Sequence, residues 1–220
     1  MISPERLDAL QQSWAKLLAR YGVAPADAYP PFDLLVAAYT APERCYHNLE
    51  HVAEVFRVAG RLATITDDTG PLHLAIWFHD AVYDSRAKDN EPRSADLAVD
   101  LLGPVGVPAS VLERVARLVR ATAHRPGDPP PGDRDTSILL DADLAILGAA
   151  GERYRRYAAD IRREYAWVPD AEYRTGRAAV LEAFLARPRL YWNELIYQEG
   201  EARARANMRA ELAELRGDRA

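Results

Sequence analysis

Apolar residues recur three and four positions apart along most of the chain, and runs of alternating apolar and polar residues of the strand type are missing. The pattern predicts an all-α fold. Ser3 is placed to cap a first helix with Pro4 in its first turn, carrying Leu7, Leu10, Trp14 and Leu17 to about Tyr21, where Gly22 ends it. A second helix follows "YPP" from about Phe32 to Tyr39. A third starts near Asn48 and carries Val52, Val55, Phe56, Ala59 and Leu62 towards Ile65. Pro71 then opens "PLHLAIWFHDAVY", which has almost no polar face and therefore belongs at the centre of the fold.

The polar stretch "DSRAKDN" interrupts the pattern before "EPRSADLAVDLL", and "VPASVLERVARLVRATAH" forms a further amphipathic helix ending at His124. "RPGDPPPGDRDT" is too rich in proline and glycine for regular structure, and its place directly after His124 makes it a candidate rim or lid. Helical period returns in "SILLDADLAILG", "ERYRRYAADIRREYAWV", "DAEYRTGRAAVLEAFL" and a long polar helix over about 193–215. Neither an internal repeat nor a linker divides residues 1–220, so a single domain is expected.

Composition agrees. A chain of 220 residues, 49% of them apolar, is long enough for one well-buried core. The 28 basic and 33 acidic residues give a formal charge of -5, and no run of like charge is long enough to serve as a nucleic-acid-binding arm. Only Lys16 and Lys88 among the basic residues are lysines; the arginine excess fits phosphate recognition, or a compositional bias shared with the abundant alanine. The single Cys45 excludes an internal disulfide, and the start "MISPERLDALQQSW" is charged and amphipathic where a secretory signal would be apolar. No window reaches the ~18 to 20 apolar residues of a membrane span. A cytoplasmic protein without nucleic-acid or membrane partners is expected.

The candidate chemistry lies where polar groups interrupt apolar helices. His47 and His51 stand four apart, on one helical face. The most apolar segment ends in His79 and Asp80, and a buried carboxylate without a partner is costly. A divalent cation such as Mn, Fe, Co, Ni, Zn or Mg is an economical partner, since imidazole and carboxylate together suit it and its charge removes the penalty. His51 can add a third ligand. Asp141 or Asp143, which interrupt "LLDADLAIL", can add a fourth, but residues two apart on a helix point about 200° apart and cannot easily share one ion.

The order His51, then His79 and Asp80, then an aspartate in "DADL" resembles the H…HD…D signature of the HD-domain superfamily of metal-dependent phosphohydrolases. "RCYHNLEH", "FHDAVYD", "NEPRSA", "TAH", "LLDADLAILG" and "IRREYAWV" resemble a bacterial branch of predicted phosphohydrolases within it. The resemblance implies a helical bundle with a metal between its central helices, held by His51, His79, Asp80 and Asp143. Asp143 is preferred to Asp141 because Ala142-Asp143-Leu144 matches the usual setting of the last ligand. Asp141 is then left to cap a helix or to orient a histidine from the second shell. "YHNLEH" is also similar to the motif of cyclic-nucleotide phosphodiesterases, which implies that His47 protonates the leaving oxygen; capping or packing beside Tyr46 is the plainer alternative.

By analogy with superfamily members, His124 would bind a second metal or a substrate phosphate. Glu91 either caps its helix or accepts a proton beside the metal. Arg44, Arg93 and Arg125 are candidates for the phosphate, each with a solvated surface role as its alternative, and His73 is expected to be an ordinary packed or surface histidine. The implied activity is metal-dependent hydrolysis of a phosphate mono- or diester of a small molecule such as a nucleotide, with a homodimer left open. The alternative is a non-catalytic module that binds metal and nucleotide. A dinuclear iron oxygenase would need more histidine ligands than the chain offers.

Overall fold

The computed structural model describes residues 3–125 and 130–217. It is all-α: among these residues there are ten α-helices and no strand. They are α1 (Pro4–Ala19), α2 (Pro25–Tyr39), α3 (Leu49–Gly60), α4 (Thr69–Phe78), α5 (Asn90–Leu102), α6 (Ala109–Ala121), α7 (Arg134–Leu144), α8 (Gly151–Glu164), α9 (Asp170–Leu185) and α10 (Glu194–Arg216), with a 3₁₀ turn at Ala145–Gly148 between α7 and α8. None of them is long and apolar enough to cross a membrane.

α4 is the axis. Every residue from Gly70 to Phe78 except His73 is buried, and α3, α5, α6 and α7 pack around it. At one end Trp14, Phe32, Phe56 and Trp77 meet edge-on or tilted, with ring centroids 5.6–6.4 Å apart. Aromatic pairs prefer such geometry to a face-to-face sandwich. The polar atoms buried with them are satisfied: the Trp14 indole donates to Ala28 O at 2.7 Å and the Tyr39 hydroxyl to Trp77 O at 2.9 Å. His73 is half-buried and packs edge-on against Phe56, away from the polar cluster described below.

Several boundaries differ from the sequence pattern. α2 starts at Pro25, before the expected Phe32, and runs through Pro30 and Pro31. These prolines forfeit backbone bonds in the second turn, but burial of Ala28, Pro31, Phe32 and Leu35 holds the helix together. α4 stops at Phe78 rather than continuing to Tyr83, so His79 and Asp80 lie in its terminal turn. α6 stops at Ala121, and His124 takes the left-handed conformation at φ 48°. The expected lid is partly outside the described residues, which omit 126–129. Of the remainder, Asp133 caps α7 by accepting from Thr136 N at 2.8 Å, and helix begins at Arg134. α10 spans the stretch expected and ends on Gly217 in the left-handed region at φ 78°.

Candidate metal centre

Three segments converge beside α4. Asn48 caps α3 by accepting from Glu50 N at 2.9 Å, which sets His51 one turn into the helix on its buried face. The end of α4 delivers His79 and Asp80. Asp143 comes from the last turn of α7, which packs against both α3 and α4.

One ligand atom from each of His51, His79, Asp80 and Asp143 lies within 4.8 Å of every other. His51 Nε2 is 3.0 Å from His79 Nε2, 3.5 Å from Asp80 Oδ2 and 3.3 Å from Asp143 Oδ1. His79 Nδ1 donates to Ile76 O at 2.8 Å, so in the neutral ring Nε2 carries the lone pair that faces the cluster. Two imidazole nitrogens and two carboxylates aimed at one point form a group that can hold a divalent ion.

Electrostatics say the same. Burial alone would lower the pKa of His51, but Asp143 and Asp80 outweigh it and push it up to about 9. The same contest raises His79. Burial would raise Asp80 and Asp143; the neighbouring histidines hold both well below the usual carboxylate range instead. The two carboxylates thus favour positive charge among the four groups, whether on an imidazole or on a bound cation. Metal needs the neutral imidazole, so at pH 7 its binding is expected to release at least one proton, with apparent affinity rising about tenfold per pH unit until it levels off near pH 9. Calorimetric titration in buffers of different ionisation enthalpy measures this, and binding without proton release would contradict the reading.

Asp141 turns away. It is fully buried, accepting from Trp192 N (2.7 Å), Asn193 N (2.7 Å) and Asn193 Nδ2 (2.8 Å). It takes neither of the roles expected for it: it holds the backbone of Trp192 and Asn193, the two residues leading into α10, without bonding an N–H of the helix, and it orients none of the histidines. Burial outweighs these donors and pushes its pKa up to about 6. Asp141→Ala would leave three donors without their acceptor, at about 1–3 kcal/mol for each buried one, partly offset by relief of the desolvated charge. A net destabilisation of about 2 kcal/mol in chemical denaturation, with metal content unchanged, is the expected result.

Asp80 and Asp143 of the cluster line a cavity of about 680 Å³, a volume typical of small-molecule sites. His47, Glu91, His124 and Arg125 line it too. His124 Nε2 bonds the outer oxygen of Asp143, Oδ2, at 2.8 Å. Glu91 sits half-buried in the first turn of α5 with its side chain at the wall. Two expected phosphate residues are not in the wall. The Arg44 guanidinium lies under the Tyr39 and Tyr83 rings and donates to the carbonyls of His47 (3.2 Å), Asp80 (2.5 Å) and Ala81 (2.8 Å), so it braces the turn that carries Asp80. Arg93 is exposed and pairs with Asp89 at 3.8 Å.

The sequence reading missed Glu164. This buried carboxylate ends α8, and its Oε2 lies 2.6 Å from His47 Nδ1 while accepting from the Tyr83 hydroxyl at 3.0 Å. Its Oε1 accepts from Tyr46 N (2.7 Å) and His47 N (3.0 Å). Burial alone would raise its pKa; His47 and these donors outweigh it and hold the group in the charged form. The His47 ring also stacks on Tyr83, centroids 4.2 Å apart. With Nδ1 facing Glu164, Nε2 is the nitrogen left for the cavity. A signal for Glu164 does exist, since it falls on the buried stripe of α8 with Tyr154 and Ile161. Tyrosines 46, 83, 157, 165 and 173 complete much of the wall, with Arg177 held by Glu211 at 2.8 Å.

No family model, curated protein or solved structure matches the chain. The all-helical fold and the His/Asp cluster are compatible with an HD domain.

Proposed function

We propose that the protein is a metal-dependent phosphohydrolase of the HD-domain type, cleaving a phosphate mono- or diester of a small cytoplasmic molecule such as a nucleotide. The observation that carries this reading is the convergence of His51, His79, Asp80 and Asp143, whose two aspartates line a cavity that also presents His47, itself seated on Glu164. A divalent cation held by those four residues would supply Lewis acidity towards a phosphoryl oxygen and a lowered pKa for water.

The chain's own groups account for the rest. His47 gives a proton to the leaving oxygen from Nε2, while the Glu164 carboxylate fixes the ring through Nδ1. Lys88 and Arg125 in the wall supply positive charge for the phosphate, His124 positions Asp143, and the tyrosines give the leaving group flat, partly apolar surfaces. Glu91 stands where it can accept a proton from water entering the cavity.

The test is a panel of nucleotides and sugar phosphates offered to protein loaded separately with Mn, Co, Ni, Mg and Zn. Metal-dependent turnover of at least one ester is expected. Tight binding without turnover across the panel would favour the non-catalytic module.

A further inference from the structure

A second cavity, of about 730 Å³, lies on the far side of the wall formed by Ala123, His124 and Arg125. Its charge is more one-sided than that of the first. The first cavity mixes Asp80, Glu91, Asp143 and Glu172 with Lys88, Arg125 and Arg177, whereas the second is lined by Arg117, Arg120, Arg187 and Arg189, and by the shared Arg125, with Asp133 as its one carboxylate among the described residues. Trp192 supplies a flat side.

The guanidiniums already have partners, and the kind of partner matters. Arg120 pairs with Asp96 at 2.7 Å and Arg117 with Asp133 at 3.8 Å, both at solvent-exposed positions on the arginine side. Exposed ion pairs of this kind hold weakly. Arg187 donates to His124 O at 2.5 Å and Arg189 bonds both Tyr191 O and Glu194. A planar guanidinium has five N–H donors, so the single-nitrogen ion pairs of Arg117 and Arg120 leave donors for a further acceptor. Several guanidiniums around one concavity suit an anion with oxygens in more than one direction, which phosphate offers and a single carboxylate does not.

We propose that this cavity is a second binding site, for a small ligand carrying two or more linked phosphate groups, and that it binds independently of the metal centre. None of His51, His79, Asp80 and Asp143 lines it, so occupancy does not require a cation there. The inference does not depend on hydrolysis in the first cavity and survives if the protein proves to be a binding module.

Inorganic pyrophosphate is the probe, with the fluorescence of Trp192 as the readout, in the full chain both metal-stripped and metal-loaded. A saturable change is expected in both forms. It should vanish in Trp192→Phe and weaken about tenfold or more in the Arg117→Ser/Arg120→Ser double variant. Both arginines are exposed and outside the proposed catalytic machinery, so the variant should fold normally. No saturable change up to about 10 mM, a change that persists in Trp192→Phe, equal affinity in the double variant, or a change that requires metal would each overturn the proposal.

Discussion

Asp80→Ala is expected to give a folded protein that no longer retains a metal ion and whose hydrolytic activity falls by about 10³-fold or more. The substitution removes one of four donors and one of the two carboxylates that attract the cation. It leaves the turn intact, because Arg44 grips the backbone carbonyls of residues 80 and 81 and not the side chain. Metal catalysis contributes several kcal/mol, and about 1.4 kcal/mol is already a factor of ten in rate. Metal analysis beside thermal melting separates this from unfolding. Wild-type protein should melt higher with added metal, as any ligand selective for the native state requires, and the variant should not respond. Retained metal with full activity would contradict the assignment.

The second large effect concerns His47. His47→Ala should lower kcat by about 10²- to 10⁴-fold while metal content stays unchanged, the range typical of a lost general acid. Glu164→Gln keeps the shape of the side chain but removes the negative charge facing the imidazole, so a smaller loss of about tenfold or more is expected. The leaving group decides the interpretation. An ester with an acidic leaving group, such as p-nitrophenol, needs little protonation and should be cleaved nearly as well by both variants as by wild type. A loss of equal size for acidic and alkyl leaving groups would mean that His47 only shapes the cavity.

The helices were legible because their apolar spacing is a local property, and the metal candidates were legible because histidine and aspartate interrupt segments that otherwise have no polar face. His79 and Asp80 at the end of α4 are the clearest case. What was hidden depends on contacts distant in sequence. Glu164 meets His47 across 117 residues, and spacing on α8 marks it as buried without saying what it touches. Asp141 and Asp143 could be separated by helical geometry, yet the partner of Asp141, the segment leading into α10, lies about fifty positions on. Arg44 illustrates the opposite error: a basic residue next to a metal motif suggested phosphate, while the fold directs its guanidinium to backbone carbonyls. The early start of α2 was hidden because paired prolines argue locally against helix and burial of Pro31 and Phe32 overrides them.

The most direct measurement of the central claim is an anomalous difference map at the absorption edge of Mn or Zn, from crystals grown with that metal. One peak should lie about 2.0–2.3 Å from His51 Nε2, His79 Nε2 and an oxygen of both Asp80 and Asp143. A peak bound elsewhere, or bound without either aspartate, would contradict the account.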